Sequence, residues 1–122
     1  MKLRNVDPKI LCRNHLLGEH YECHLFIGHL RKKRRIDGYI KNNLVEIKKI
    51  VQRHGELANE MIRRGMNHKS PLSLCDVPDL SYLCEEYLNY KIDYDLCLED
   101  TLRCEECKLL YYQLLKENKK RC

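Results

Sequence analysis

No apolar run in the 122-residue chain approaches the roughly 20 residues that a bilayer-crossing helix needs. The opening Met1–Leu16 also lacks the unbroken apolar stretch of an export signal. Membrane spanning and secretion are therefore not expected, and the sequence reads as cytoplasmic. Strand-type alternation is missing throughout, as are internal repeats and low-complexity tracts, which leaves no pattern for a sheet or a repeat array. Tryptophan is absent and Phe26 is the only phenylalanine. The eight cysteines fall below the density of a small disulfide scaffold. Without an export signal they are expected as reduced thiols.

What is present suits a globular chain: 43% hydrophobic and 34% charged residues, enough for one compact domain over residues 1–122. The net charge of +5 hides an asymmetry. Residues 1–70 hold 16 Lys/Arg against 7 Asp/Glu and all six histidines; residues 71–122 hold 7 against 11. A concentrated positive half is the electrostatic footprint of a polyanion binder, although a solvated charged surface has the same composition.

Helical signals recur along the chain. Asp7-Pro8 is a helix start, pairing a side-chain acceptor with a residue whose missing N–H costs nothing in the first turn. A main helix is expected from about Arg13 to Arg35, with Leu16, Cys23, Phe26, Ile27 and Leu30 on one side. It ends in Arg31-Lys32-Lys33-Arg34-Arg35, where the helix dipole and a phosphate backbone would both favour cations. Asp37-Gly38 reads as a turn. A second helix is expected from Leu44 to Arg64, with Leu44, Ile47, Val51, Ala58, Met61 and Ile62 sharing a face and Gly65 as a left-handed stop. A loop over Asn67–Pro78, a short helix over Leu80–Leu88 and a last helix from Asp93 to Lys116 complete an all-α domain of three main helices and one minor one.

The densest chemistry lies on the first helix. His15, Glu19 and Glu22 are spaced i, i+4, i+7, within about 60° of arc, on a face bordering the apolar stripe. Such a group can tune its own pKa values for acid–base work, and an exposed polar face has the same spacing.

The block Asn5-Val6-Asp7-Pro8-Lys9-Ile10-Leu11-Cys12-Arg13-Asn14-His15-Leu16-Leu17-Gly18-Glu19-His20 resembles the opening of the pyrimidine-dimer DNA glycosylases, the phage endonuclease V family. Arg53-His54-Gly55-Glu56-Leu57, Glu60-Met61 and Arg63–Leu72 resemble a second block of that family, in the same order. The ending Arg103-Cys104-Glu105-Glu106-Cys107 is similar to some cellular members, while residues 73–96 match weakly. The resemblance implies an all-α, cofactor-free and metal-free glycosylase with abasic-site lyase activity. It would act as a monomer on double-stranded DNA containing damaged pyrimidines, in the cytoplasm or, if virus-encoded, in the host cell.

In that family the nucleophile is the backbone α-amine of the mature N-terminus, which forms an imine with the sugar, and a glutamate on the first helix assists proton transfer. An α-amine has a pKa near 8, so roughly a tenth is unprotonated at pH 7. The resemblance maps the glutamate onto Glu22. With Lys at position 2 the initiator methionine should stay, and ungapped counting from Glu22 then places Met1 at the nucleophile's position. The implied DNA contacts are Lys2, Arg4, Arg13, Asn14, His15, Tyr21, Arg31 and Lys32, with Glu19 and His54 in support. Tyr21 and Leu25 stand where the phage enzyme has arginines, and Tyr21 can stack on a base instead. The aromatic, basic tail of the phage protein is absent; Tyr111-Tyr112 and Lys119-Lys120-Arg121 are a loose substitute at best, and such tyrosines are more often simply packed.

Two other readings stay open. One is a catalytically inactive DNA-binding relative of the same fold. The other is a helical metal-binding protein using His15, Glu19, Glu22 and His54. His20 and His24, spaced i, i+4, are a further metal-type pair, with surface or phosphate contacts as the alternative. Cys97, Cys104 and Cys107 have the spacing that opens an iron–sulfur site, with Cys122 as the next cysteine. On one continuous helix they fall within about 80°, where a semi-buried thiol stripe is the simpler explanation.

Overall fold

A computed structural model describes residues 1–120, and Arg121 and Cys122 lie outside the described residues. The fold is all-helical, as expected, with no strand among the described residues. The helices are α1 (Arg13–Arg31), α2 (Asp37–Lys41), α3 (Ile50–Arg63), α4 (Glu85–Leu88), α5 (Tyr94–Thr101) and α6 (Glu105–Lys120), with 3-10 turns at Pro8–Ile10, Ile47–Lys49 and Leu74–Asp76.

Asp7 caps the first turn as its sequence suggests, its carboxylate accepting from Lys9 N–H at 3.0 Å. Its turn aims Ile10 and Leu11 into the core. Leu16, Cys23, Phe26, Ile27 and Leu30 bury one side of α1, and Phe26 meets Tyr39 edge-on at 5.1 Å. Helices α1 and α3 pack against each other. Pairs such as Glu19–Arg53 and His24–His54, with Arg64 reaching the Leu11 carbonyl, show that they run antiparallel.

Several boundaries differ from the sequence reading. Helix α1 stops at Arg31, because Lys33 turns left-handed (φ 53°) and leaves Arg34 and Arg35 on a connection. Asp37-Gly38 opens the short helix α2 rather than a turn. The second main helix starts at Ile50, after the 3-10 turn, and Gly65 (φ 81°) ends it with Met66 N–H returning to the Met61 carbonyl. Its buried face holds Ile50, Leu57, Ala58 and Met61 together with Arg53 and His54, while Ile62 is exposed.

The expected Leu80–Leu88 helix shrinks to Glu85–Leu88. The expected last helix is two. Asp93 caps α5 through Leu96 N–H, but Thr101 is buried and bonds back to the Cys97 carbonyl at 2.7 Å, and the chain turns over Leu102–Cys104 before α6. Helix α6 then packs on the Pro8–Ile10 turn. No glycine or proline marks this break, so side-chain periodicity ran straight through it.

Candidate active site at the chain start

The first residues run extended across α1. Leu3 and Val6 are buried and anchor the segment, and Leu3 N–H donates to the Leu44 carbonyl at 2.7 Å. Alternate N–H groups face the other way: Lys2 N–H donates to Glu22 Oε2 at 2.9 Å and Arg4 N–H to Glu19 Oε1 at 2.8 Å. The i, i+2 alternation of an extended backbone thus meets two carboxylates nearly one helical turn apart on α1. The residue before Lys2 is held beside Glu22, and Met1 is half-buried against the core.

The two carboxylates have different environments. Glu19 is fully buried, inside the core rather than at its border. Its second oxygen accepts from Arg53 Nε at 2.5 Å, and Arg53 Nη1 donates to the Val6 carbonyl at 2.6 Å. Burial pushes the Glu19 carboxyl above its usual range, opposed by the Arg53 guanidinium and the Arg4 N–H. Glu22 is only half-buried, open to solvent on one side. Glu19 therefore braces the chain start from within the core.

Asp100 of α5 pairs with the Lys2 ammonium and lies 3.7 Å from Arg4 Nη2. Lys2 above all, with Arg4 in support, holds the Asp100 carboxyl below its usual range. Beside them a shallow depression is lined by Lys2, Asn42, Asn43, Leu96, Cys97 and Asp100.

Tyr21 stands exposed on α1 next to Glu22, and Arg13 and Asn14 are exposed at its first turn. Arg31 to Arg35 are all exposed; Arg31 reaches the Asp76 carbonyl at 3.2 Å and Arg35 pairs with Asp37 at 2.9 Å. Lys32 is exposed among them. His15, half-buried near Arg4 and Asp100, has Nδ1 3.1 Å from Cys12 Sγ and 3.3 Å from Cys107 Sγ.

His54 does not orient either glutamate. It is the hydrogen-bonded core histidine, with Nε2 2.9 Å from the Ser70 carbonyl, and Arg53 takes the place at Glu19. His54 instead joins His20, His24 and His68, where the Nε2 atoms of His20 and His68 are 2.9 Å apart. Burial and the neighbouring imidazoles push His20 down to about 4. The set His15, Glu19, Glu22 and His54 is thus divided, each residue having its own partner: the Cys12 and Cys107 sulfurs, Arg53, Lys2 N–H and the Ser70 carbonyl.

Sequence reasoning missed Arg53 and Asp100. For Arg53 the signal was available, since it occupies a core position of α3 where an arginine is stable only with a partner. Asp100 had none, because its pairing crosses 98 positions of chain.

Neither the curated proteins nor the solved structures give a match. A family model described as pyrimidine dimer DNA glycosylase matches residues 1–74. Those residues contain the chain start, Glu19, Glu22 and Arg53, and on them the chain belongs to the pyrimidine dimer DNA glycosylase family.

Proposed function

We propose that residues 1–122 form one DNA glycosylase and abasic-site lyase domain acting as a monomer on double-stranded DNA with pyrimidine dimers or related damaged pyrimidines. The α-amine of Met1 is the nucleophile and Glu22 is its proton-transfer partner. The observation that carries this reading is the 2.9 Å bond from Lys2 N–H to Glu22, which ties residue 1 to one carboxylate. Family membership supplies the substrate class.

The chemistry follows from those two groups. The neutral amine attacks C1′ of the damaged nucleotide, the glycosidic bond breaks, and its electron pair leaves with the base, which takes a proton. The nitrogen sheds a proton; its lone pair then opens the sugar ring, with O4′ taking up a proton, to give an iminium between Met1 and C1′. The Glu22 carboxylate removes a proton from C2′, and the electrons expel the 3′ phosphate in a β-elimination. Water then hydrolyses the imine and frees the amine.

Buried Leu3 and the Glu19–Arg53 pair keep the amine and carboxylate together between these steps. Reaching C1′ requires extrusion of the damaged nucleotide, at a cost of a few kcal/mol that is least at lesions. Exposed Tyr21 beside Glu22 offers a stacking face for a displaced base. Lys2, Arg4, Arg13, Asn14, Arg31 and Lys32 are assigned to the phosphates, and His15 contributes through its place at the start of α1.

The test is borohydride reduction during incubation with dimer-containing or abasic duplex, followed by intact-mass analysis. A covalent adduct on Met1 is expected, lost when the α-amine is acetylated. Equal trapping by the acetylated chain would overturn the assignment of the nucleophile.

A further inference from the structure

A second constellation lies outside this chemistry. Cys12, immediately before α1, and His15 in its first turn face Cys104, immediately before α6, and Cys107 in its first turn. The four ligand atoms all lie within 4.8 Å of one another. Each pair is separated by two residues across a helix start, so two matching pincers close on one point. Cys97, which the sequence groups with Cys104 and Cys107, is not part of it; the break between α5 and α6 turns it away toward Asn43.

We propose that Cys12, His15, Cys104 and Cys107 bind one zinc ion as a structural Cys3His site. A tetrahedral zinc with bonds of about 2.3 Å to sulfur and 2.0–2.1 Å to nitrogen sets its ligands about 3.8 Å (S···S) and about 3.6 Å (S···N) apart. The sulfurs of Cys12 and Cys104, 3.9 Å apart, already stand at the S···S value, while His15 Nδ1, 3.1 and 3.3 Å from the sulfurs of Cys12 and Cys107, sits a few tenths of an ångström inside the S···N value and would move outward on binding. The separation of Cys12 and Cys104 is far beyond a disulfide bond. It is also too close for a multi-iron cluster, whose own iron and sulfide atoms would hold the ligands farther apart.

Backbone donors reach two of the sulfurs. Cys12 N–H donates to Cys107 Sγ at 3.2 Å, and backbone N–H groups of Glu106 and Cys107, at the start of α6, act on the Cys104 sulfur. N–H groups at a helix start favour negative charge, and thiolate is the form zinc binds. Cys12 and Cys107 are buried, while Cys104 and His15 are half-exposed and leave an entry path.

The ion would clamp α6 to the segment entering α1. Cys104 and Cys107 lie beyond the matched residues 1–74, so the site joins the family segment to the acidic half of the chain. This inference stands apart from the glycosylase reading and fails or survives separately.

The test loads the reduced, chelator-stripped full chain with cobalt(II) and separately measures zinc in protein expressed with zinc. One metal per chain is expected, with intense near-ultraviolet thiolate-to-cobalt absorption whose strength corresponds to three sulfurs. That absorption should fall to background in Cys104→Ser and Cys107→Ser and persist in Cys97→Ser. Sub-stoichiometric metal in the wild-type chain would overturn the site. So would cobalt bound without thiolate absorption, as nitrogen donors alone give, or loss of the metal from a Cys97→Ser chain with unchanged circular dichroism. Should the Cys104 and Cys107 variants fail to fold, the wild-type stoichiometry and band strength decide the question.

Discussion

Arg53 donates through Nε to Oε2 of Glu19 at 2.5 Å, and both side chains are almost wholly buried between α1 and α3. A buried ion pair adds little over well-packed apolar residues, but removing one partner strands the other charge. Arg53→Met is expected to destabilise the fold by about 3–5 kcal/mol. The double variant Glu19→Gln with Arg53→Met should recover much of that loss. Urea denaturation of Glu19→Gln, Arg53→Met and the double variant checks it, and additive losses would show that the pair does not act as a unit.

Glu22 sits outside that pair and accepts only one backbone donor among the described contacts. Glu22→Gln keeps shape and hydrogen-bonding capacity but cannot accept the C2′ proton. Strand cleavage should fall by about 10²–10⁴-fold, the usual worth of a positioned acid–base group, while affinity for lesion DNA stays near wild type. Single-turnover cleavage alongside a binding titration separates the two quantities. Equal cleavage by variant and wild type would remove Glu22 from the mechanism.

The imidazoles of His24, His54 and His68 surround His20, and no carboxylate is among the groups acting on it. Its folded pKa of about 4 lies below the ordinary 6.5. Well above pH 6.5 neither folded nor unfolded His20 binds a proton, so it contributes nothing to the pH dependence there. As pH falls from 6.5 toward 4 the unfolded chain takes up the proton first, and stability is lost across that window. Denaturation midpoints measured at pH 7, 6 and 5 should therefore fall, and His20→Gln should flatten the decline. His54, also lowered by burial, accounts for part of the slope that remains.

Five exposed cations run from Arg31 to Arg35 where α1 gives way to the connection before α2. Charge reversal at Lys32 or Arg34 should weaken DNA binding similarly on any sequence, and should reduce the salt slope by about one for each phosphate contact removed. Fluorescence anisotropy across a range of salt concentrations measures this. An unchanged slope would place the DNA on another face.

What could be read from the chain alone was local or carried by ordered blocks of residues. The stripe of α1, the caps at Asp7 and Asp93 and the left-handed Gly65 each depend on neighbours a few positions away, so pattern was enough. Family membership was legible for the same reason, since its blocks lie within residues 1–74. The break at Leu102–Cys104 was not legible, because it follows from Thr101 being buried, a condition set by distant packing.

The sequence by itself determined that this is an all-helical chain with a basic first half and a carboxylate-bearing first helix, because helix periodicity and charge are written residue by residue. Only tertiary structure decided which groups meet: Lys2 N–H with Glu22, Arg53 rather than His54 with Glu19, and Cys12 and His15 with Cys104 and Cys107. Those meetings span 20 to 95 positions. They depend on how helices cross and where α5 breaks, and burial of the whole core settles that, with no short stretch of residues encoding it.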